Sequence, residues 1–519
     1  MVATLAACGG GSSGGGATGS GSSFILGTTE TVTAMDPAGS YDFGSWNMQY
    51  NIFQQLVNIP PGGTTPQGDA AKSCNYQDPK TLTCHLKPGL TFSNGDKLTS
   101  SDVKFSFERN IAINDPNGSA VLLGSITDSS DPNNPKLASG AIETPDPTTV
   151  IFHLNKPDTT FIKVLTTATA SIVDEQVFPA DKLMPDNKVI GSGPYALSQY
   201  KAGEQAVLSA NPKYQGSHQP KTARIFVQYF NDPAPLKQAI ASGQVDIAWR
   251  TLSPTDLISL KSDSTVNVLR GKGSEFRYWV WDMNTPVGKQ LAIRQAVAQL
   301  FDRQAIAQKA YDGTVQPAYS IVPPGFAGQK DSFKSQYGSP SVAKAKQILA
   351  AAHVKTPVTI KLGYTPSHYG PNAVDEADEL QRQLNGSGLF KATVADAEWE
   401  QYQTLYKQGA YDLYILGWYP DFLDADDYLT PFLRDGGFYQ NGYSNPKVNS
   451  LLDQELATTD QQQRQQIFGQ LQDIVAQDVP LIPSWDGQNV AVAGKDMNGV
   501  LQTLDPTYIF RFWMISKKG

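Results

Sequence analysis

A chain of 519 residues, 40% hydrophobic and 17% charged, is long enough at roughly 100 to 200 residues per domain for about two to four domains with large cores, which excludes a mini-protein. Its 45 Gly and 34 Pro argue against a coiled coil and for a loop-rich globular body. With 41 Lys plus Arg against 49 Asp plus Glu, a net charge of -8, the chain lacks the cationic field that retains nucleic acid, and it has no run of about 18 apolar residues to span a bilayer.

The chain opens on Leu5-Ala6-Ala7-Cys8, which resembles a bacterial lipobox, where small residues precede a Cys that is acylated after signal cleavage. A basic stretch and a long apolar stretch are missing ahead of it, so the numbering reads as a shortened precursor anchored through lipidated Cys8 to the outer face of the cell membrane. Gly9 to Ser23 are almost purely small and polar, a flexible tether of roughly 20 Å span. Gly10-Gly11-Ser12-Ser13-Gly14 inside it fits G-x-S-x-G, but no strand precedes it and no helix follows, so it is no nucleophile elbow.

Asp36-Pro37 marks a turn, and Trp46, Tyr50, Phe53 and Val57 share one face of an expected helix. Residues 58 to 179 read as short strands and Pro/Gly turns with one helix near Ser101 to Asn110; Val150, Phe152 and Leu154 alternate as in a half-buried strand. Cys74 and Cys84 flank an Asp78-Pro79 turn, a spacing that favours a disulfide and hence an oxidising compartment. Two free thiols are the alternative; a zinc site using His85 lacks a second ligand pair.

From Gly191 the pattern becomes mixed α/β. Ile225, Val227 and Tyr229 alternate as a strand, Ala234 to Ser242 read as a helix, and Val245 to Ala248 as a strand. A second lobe is expected from near Phe276. Its helix faces are Ile293, Val297, Leu300 and Phe301, then Val342, Ala345, Leu349 and Ala352, then Ala377, Leu380 and Leu384. Val358 to Tyr364 and Tyr411 to Gly417 read as strands, and Ile467, Leu471, Ile474 and Val475 form a last helix stopped at Asp478-Val479-Pro480.

Several ordered runs resemble the oligopeptide- and dipeptide-binding proteins of ABC importers, family 5 of the extracellular solute-binding proteins. They are Leu86-Lys87-Pro88-Gly89-Leu90-Thr91-Phe92-Ser93-Asn94-Gly95, Ser101-Asp102-Val103, Gly191-Ser192-Gly193-Pro194-Tyr195, Ser242-Gly243-Gln244-Val245-Asp246, Ile293-Arg294-Gln295-Ala296-Val297 with Asp302-Arg303, Gly442 to Pro446, and Val479 to Pro483. Gly89 and Gly95 suit tight turns, and a Ser or Asp at 100 to 102 suits a helix cap. The resemblance implies an α/β, two-lobed periplasmic-binding-protein-like fold (type II, cluster C) with an extra β-rich subdomain. The implied division is 1–23 lipobox remnant and tether, 24–50 lobe I, 51–189 the subdomain, 190–272 lobe I, 273–483 lobe II and 484–519 lobe I.

Gly417-Trp418-Tyr419-Pro420-Asp421 follows an apolar strand, where ligand clefts of open α/β sheets form. In peptide-binding members the Asp of a G-W-x-x-D motif pairs with the ligand ammonium, and Asp421 matches it; Trp418 matches a Trp that walls a side-chain pocket, and Trp399 resembles a second wall. Tyr419, His368 and Tyr369 complete the expected ligand contacts. Asp424, Asp426 and Asp427 read as a solvated loop or helix cap. Dipeptide-specific members carry an Arg just before the helix near Asp375; Tyr364 to Val374 contain none, so the resemblance implies longer peptides rather than a fixed dipeptide.

The expected function is that of a monomeric substrate-binding lipoprotein, capturing peptides by hinge closure and delivering them to permease subunits, without cofactor or metal. Oligosaccharide or metal-chelate binding and peptide sensing without transport are the alternatives within the architecture. An extracytoplasmic hydrolase has little to work with. The five His show no H-E-x-x-H spacing, the acidic run lacks the calcium-loop pattern, and two glycosidase acids would need a set separation.

Overall fold

The computed structural model describes residues 22–518 apart from 129, 131–134, 251, 367 and 371; Cys8 and most of the tether lie outside the described residues. Two long strands set the architecture. Val266–Trp281 and Leu481–Gly494 pair antiparallel from Val266 opposite Gly494 to Val280 opposite Leu481. At about 3.3 Å per residue the longer one reaches across two lobes. Beside its first half lie Ile247–Trp249 and then Ser23–Thr28, which pairs parallel with both Ile247–Trp249 and Arg224–Tyr229. Beside its second half lie Leu413–Trp418 and then the parallel strands Val358–Tyr364 and Phe390–Asp396. Where the halves meet, the register slips between Lys272 and Phe276, leaving Gly273-Ser274-Glu275 as an irregular segment.

Each end of this eleven-stranded sheet is sealed by its own core. Phe24, Leu26, Ile225, Val227 and Trp249 pack with Phe510 and Phe512 in the first lobe, so the chain returns there at its end. Trp279, Ile360, Leu380, Leu413 and Leu471 share the core of the second. Parallel strands covered on both faces need nearly continuous apolar sequence, and Leu413 to Leu416 are buried without a break.

A separate core belongs to an antiparallel sheet of Ala71–Asp78, Thr81–Leu86, Thr149–His153 and Ile142–Asp146, in that order. The helix Ser100–Ile113 lays Val103, Phe107 and Ile111 on it at i, i+4 and i+8, with the Phe107 ring edge-on to Phe152 at 5.3 Å. Its N-cap is Thr99, one residue before the expected cap, with Asp102 closing a capping box. Cys74 stands directly opposite Cys84 across the hairpin and is joined to it by a disulfide. Gly95, at φ +108, turns the loop before this helix.

Two expectations need correction. The helix that begins at Phe43 ends at Ile52, with Phe53 already extended, so Phe53 and Val57 lie off it. Hydrogen bonds to distant backbone take these residues: Ala70 N–H donates to Gln55 C=O, Asp69 N–H to Leu56 C=O and Ile172 N–H to Gln54 C=O. On the helix Val342–Ala351, Ala345 and Leu349 are buried but Val342 is exposed, so the apolar face is half as wide as its spacing suggested.

Candidate functional site

A cavity of about 560 Å³ lies between the lobes, lined by Arg250, Leu257 and Val492 from one side and by Tyr311, His368 and Tyr369 from the other. That volume falls in the range of roughly 300 to 1,000 Å³ typical of small-molecule sites. Among the described residues, three guanidinium groups reach it, from Arg250, Arg270 and Arg277, against one carboxylate, that of Glu275.

Arg277 follows Phe276 and precedes Tyr278, both fully buried, and is itself 3% exposed. It donates to Glu275 at 2.8 Å and lies 4.1 Å over the Tyr369 ring and 4.9 Å over Trp485. Burial alone would lower its pKa, but Glu275, together with Tyr311, Tyr369 and Tyr419, outweighs burial and holds the group protonated. A side chain on the neighbouring strand would not fit: a Cβ on Gly417 would sit 2.1 Å from Arg277 Nη1. Arg250 is arranged alike, paired with Glu30 at 2.8 Å and flanked by Phe43, Tyr419 and Tyr508 at 4.4, 4.8 and 5.4 Å. There too burial opposes the charge and Glu30 sustains it.

The aromatic wall is held by Glu376. Its buried carboxylate accepts from Trp279 Nε1 at 2.9 Å, Tyr311 OH at 2.8 Å, Ser484 OH at 2.6 Å and Trp485 Nε1 at 2.8 Å. Four donors and no cation make it a positioning group for two rings that line the cavity.

His368, Tyr369 and Tyr419 line the cavity. Trp399 stands behind the first two, parallel to the His368 ring at 3.8 Å and edge-on to Tyr369 at 5.4 Å. Desolvation in this stack, then Arg277, push the His368 imidazole down to about 4, so it is neutral at pH 7. Trp418 and Asp421 lie outside the lining. The Trp418 ring packs edge-on to Phe432 at 5.3 Å, and its Nε1 donates to Asp427 Oδ2 at 3.1 Å. Asp421 sits beyond Tyr419, where the Tyr41 hydroxyl of the first lobe hydrogen-bonds its carboxylate and its own N–H donates to Asp427 at 2.8 Å. Burial pushes Asp421 up to about 6 and, with Asp421 beside it, raises Asp427 well above the usual carboxylate range. Among the described residues no basic side chain pairs with either.

The neighbouring acids are not solvated. Asp424 does cap the short helix Ala425–Tyr428, but it is 7% exposed and forms a two-pronged ion pair with Arg464 at 2.7 and 2.8 Å; Asp426 and Asp427 are buried as well. The sequence reading also missed Arg250, Arg270, Glu275, Arg277 and Trp485. Arg277 alone carried a signal, a charge set inside an aromatic run that could only be buried.

The family model for bacterial extracellular solute-binding proteins, family 5 (middle region), matches residues 65–440. The chain is 28% identical over 490 residues to the probable D,D-dipeptide-binding periplasmic protein DdpA of Escherichia coli (strain K12), covering 92% of this chain and 90% of that one. It is 28% identical over 451 residues to di/tripeptide-binding protein 1 of Pseudomonas aeruginosa (strain UCBPP-PA14), covering 83% and 82%. The crystal structure of the ABC transporter substrate-binding protein CtaP from Listeria monocytogenes superimposes with a TM-score of 0.83 at 23% identity, over 96% of this chain and 100% of that one. The architecture is thus the two-lobed type II periplasmic-binding fold.

Proposed function

The chain belongs to family 5 of the bacterial extracellular solute-binding proteins, and from that premise we propose that it captures short peptides between its lobes for an ABC importer. One observation carries this reading: the interlobe cavity is rich in guanidinium groups, while the desolvated Asp421–Asp427 pair just beyond Tyr419 has no cationic partner among the described residues. A peptide zwitterion has the complementary charges. Its ammonium would take the place of the Tyr41 hydroxyl at Asp421, and a buried charge pair is favourable only when both members are present. Tyr369 and Tyr419 offer aromatic surface that accepts varied side chains, and Trp399 and Trp418 brace the loops behind them. The lack of Arg in 364–374 does not require long peptides, because Arg250, Arg270 and Arg277 reach the cavity from elsewhere in the chain.

Closure of the lobes around the ligand, docking of the closed form on permease subunits, and retention through lipidated Cys8 belong to the same reading. The Cys74–Cys84 bridge supports an oxidising, extracytoplasmic compartment. The test is calorimetry of the monomeric protein with tri-alanine and N-acetyl-tri-alanine. Tri-alanine should bind and emerge unchanged, and acetylation or Asp421→Asn should weaken binding by about tenfold or more. Equal binding of the acetylated peptide would remove Asp421 from the site, and hydrolysis of the peptide would make the protein an enzyme.

A further inference from the structure

Of the three guanidinium groups at the cavity, two are already neutralised within the protein. Arg250 is paired with Glu30, and Arg277 with Glu275. Arg270 differs. It is half-buried, and its hydrogen-bond partner is the neutral Gln488 Oε1 at 3.4 Å. Desolvation lowers its pKa, and among the described residues no carboxylate counters that. A partly desolvated cation without a counter-ion is costly, and an incoming anion would relieve it. The guanidinium fork matches a carboxylate with two parallel hydrogen bonds, a fit that an ammonium lacks.

Position adds to chemistry. Arg270 pairs in register with Val490, in the half of the long strand that packs on the first lobe. Asp421 belongs to the second lobe, just past the strand Leu413–Trp418. Cation and acidic pair therefore come from opposite sides of the cleft, and a solute engaging both would hold the lobes together.

We propose that Arg270 is the residue that reads a carboxylate of the bound solute, so that the cavity selects peptides with a free carboxylate, at the C-terminus or on an acidic side chain. This rests on the peptide reading above and adds the group that the peptide must present.

The probes are tri-alanine and tri-alanine amide, then Ala-Glu-Ala amide and Ala-Gln-Ala amide, titrated into the full protein and into Arg270→Gln and Arg270→Lys. Arg270 makes one weak contact, so the variants should melt as the parent does. If the C-terminal carboxylate is read, the parent should prefer tri-alanine over its amide by about 10- to 100-fold, as expected for a charge-assisted hydrogen-bonded pair. Arg270→Gln should abolish the preference and Arg270→Lys should keep part of it. If a side-chain carboxylate is read, the same pattern appears between the Glu and Gln peptides. Peptide binding with no preference for either carboxylate, or with a preference that survives Arg270→Gln, overturns the assignment and leaves the peptide reading standing. Binding of none of the four probes overturns both.

Discussion

Arg464 lies 3% exposed between two buried acids, and replacing it with Met tests how the loop after Trp418 is held. Its Nη1 and Nη2 donate to both oxygens of Asp424 at 2.7 and 2.8 Å, and its Nε donates to Glu455 at 2.8 Å. Burial alone would raise Asp424, but Arg464 outweighs it and holds the carboxyl below the usual range; burial and then Asp426 push Glu455 well up. Met fills the space but leaves Asp424 as a buried charge with no paired cation, so Arg464→Met should cost about 3 to 5 kcal/mol.

The pH dependence follows from the direction of the shift. With Arg464 present, the native Asp424 pKa is depressed. Its stabilisation is complete above the ordinary carboxylate range and is lost as pH falls through the lower native value. Without Arg464, burial dominates and the native pKa rises above the unfolded one, so the variant loses stability as pH rises from about 4. Urea midpoints of parent and variant should therefore lie further apart at pH 8 than at pH 5. A difference below about 1 kcal/mol at pH 8, or one that does not change with pH, would refute this account of the triad.

Because burial pushes Asp421 up to about 6 in the free protein and an ammonium partner would lower that value, affinity for tri-alanine should be highest between about pH 6 and 7, before the peptide's own α-ammonium loses its proton near pH 8. Below about pH 6, affinity should fall by up to about tenfold per pH unit, while N-acetyl-tri-alanine shows a flat profile; calorimetry from about pH 7 to 5 decides, and a flat profile for the free amine removes the role of Asp421. Glu376→Gln would turn an NH2 group toward donors that now meet a carboxylate oxygen, and should cost about 1 to 3 kcal/mol. It should also quench or shift the emission of Trp485 and weaken peptide binding through the displaced ring; unchanged urea midpoint and affinity would show that Glu376 positions nothing.

Elements whose signal is local were readable from the chain. Alternation at Val358 to Tyr364 and the apolar run from Leu413 to Leu416 predicted strands, because burial on one or both faces writes itself into sequence at fixed period. The ordered Gly, Pro and Asp runs pointed to the family, since turns and caps need particular residues. The hairpin carrying Cys74 and Cys84 was readable for the same reason. Tertiary structure decided what depends on distant partners. The helix after Phe43 stops at Ile52 because backbone at 69 to 71 and at 172 takes the hydrogen bonds of the residues that follow. Asp424 is buried because Arg464, forty residues on, neutralises it. The cavity's charge arises where two strands from different parts of the chain run side by side and bring Arg270, Glu275 and Arg277 to the same space as Tyr369 and Trp485. Periodicity reports which face of an element is buried, but not which charge will stand opposite it; that is settled only when the lobes pack and each guanidinium either finds a carboxylate or is left without one.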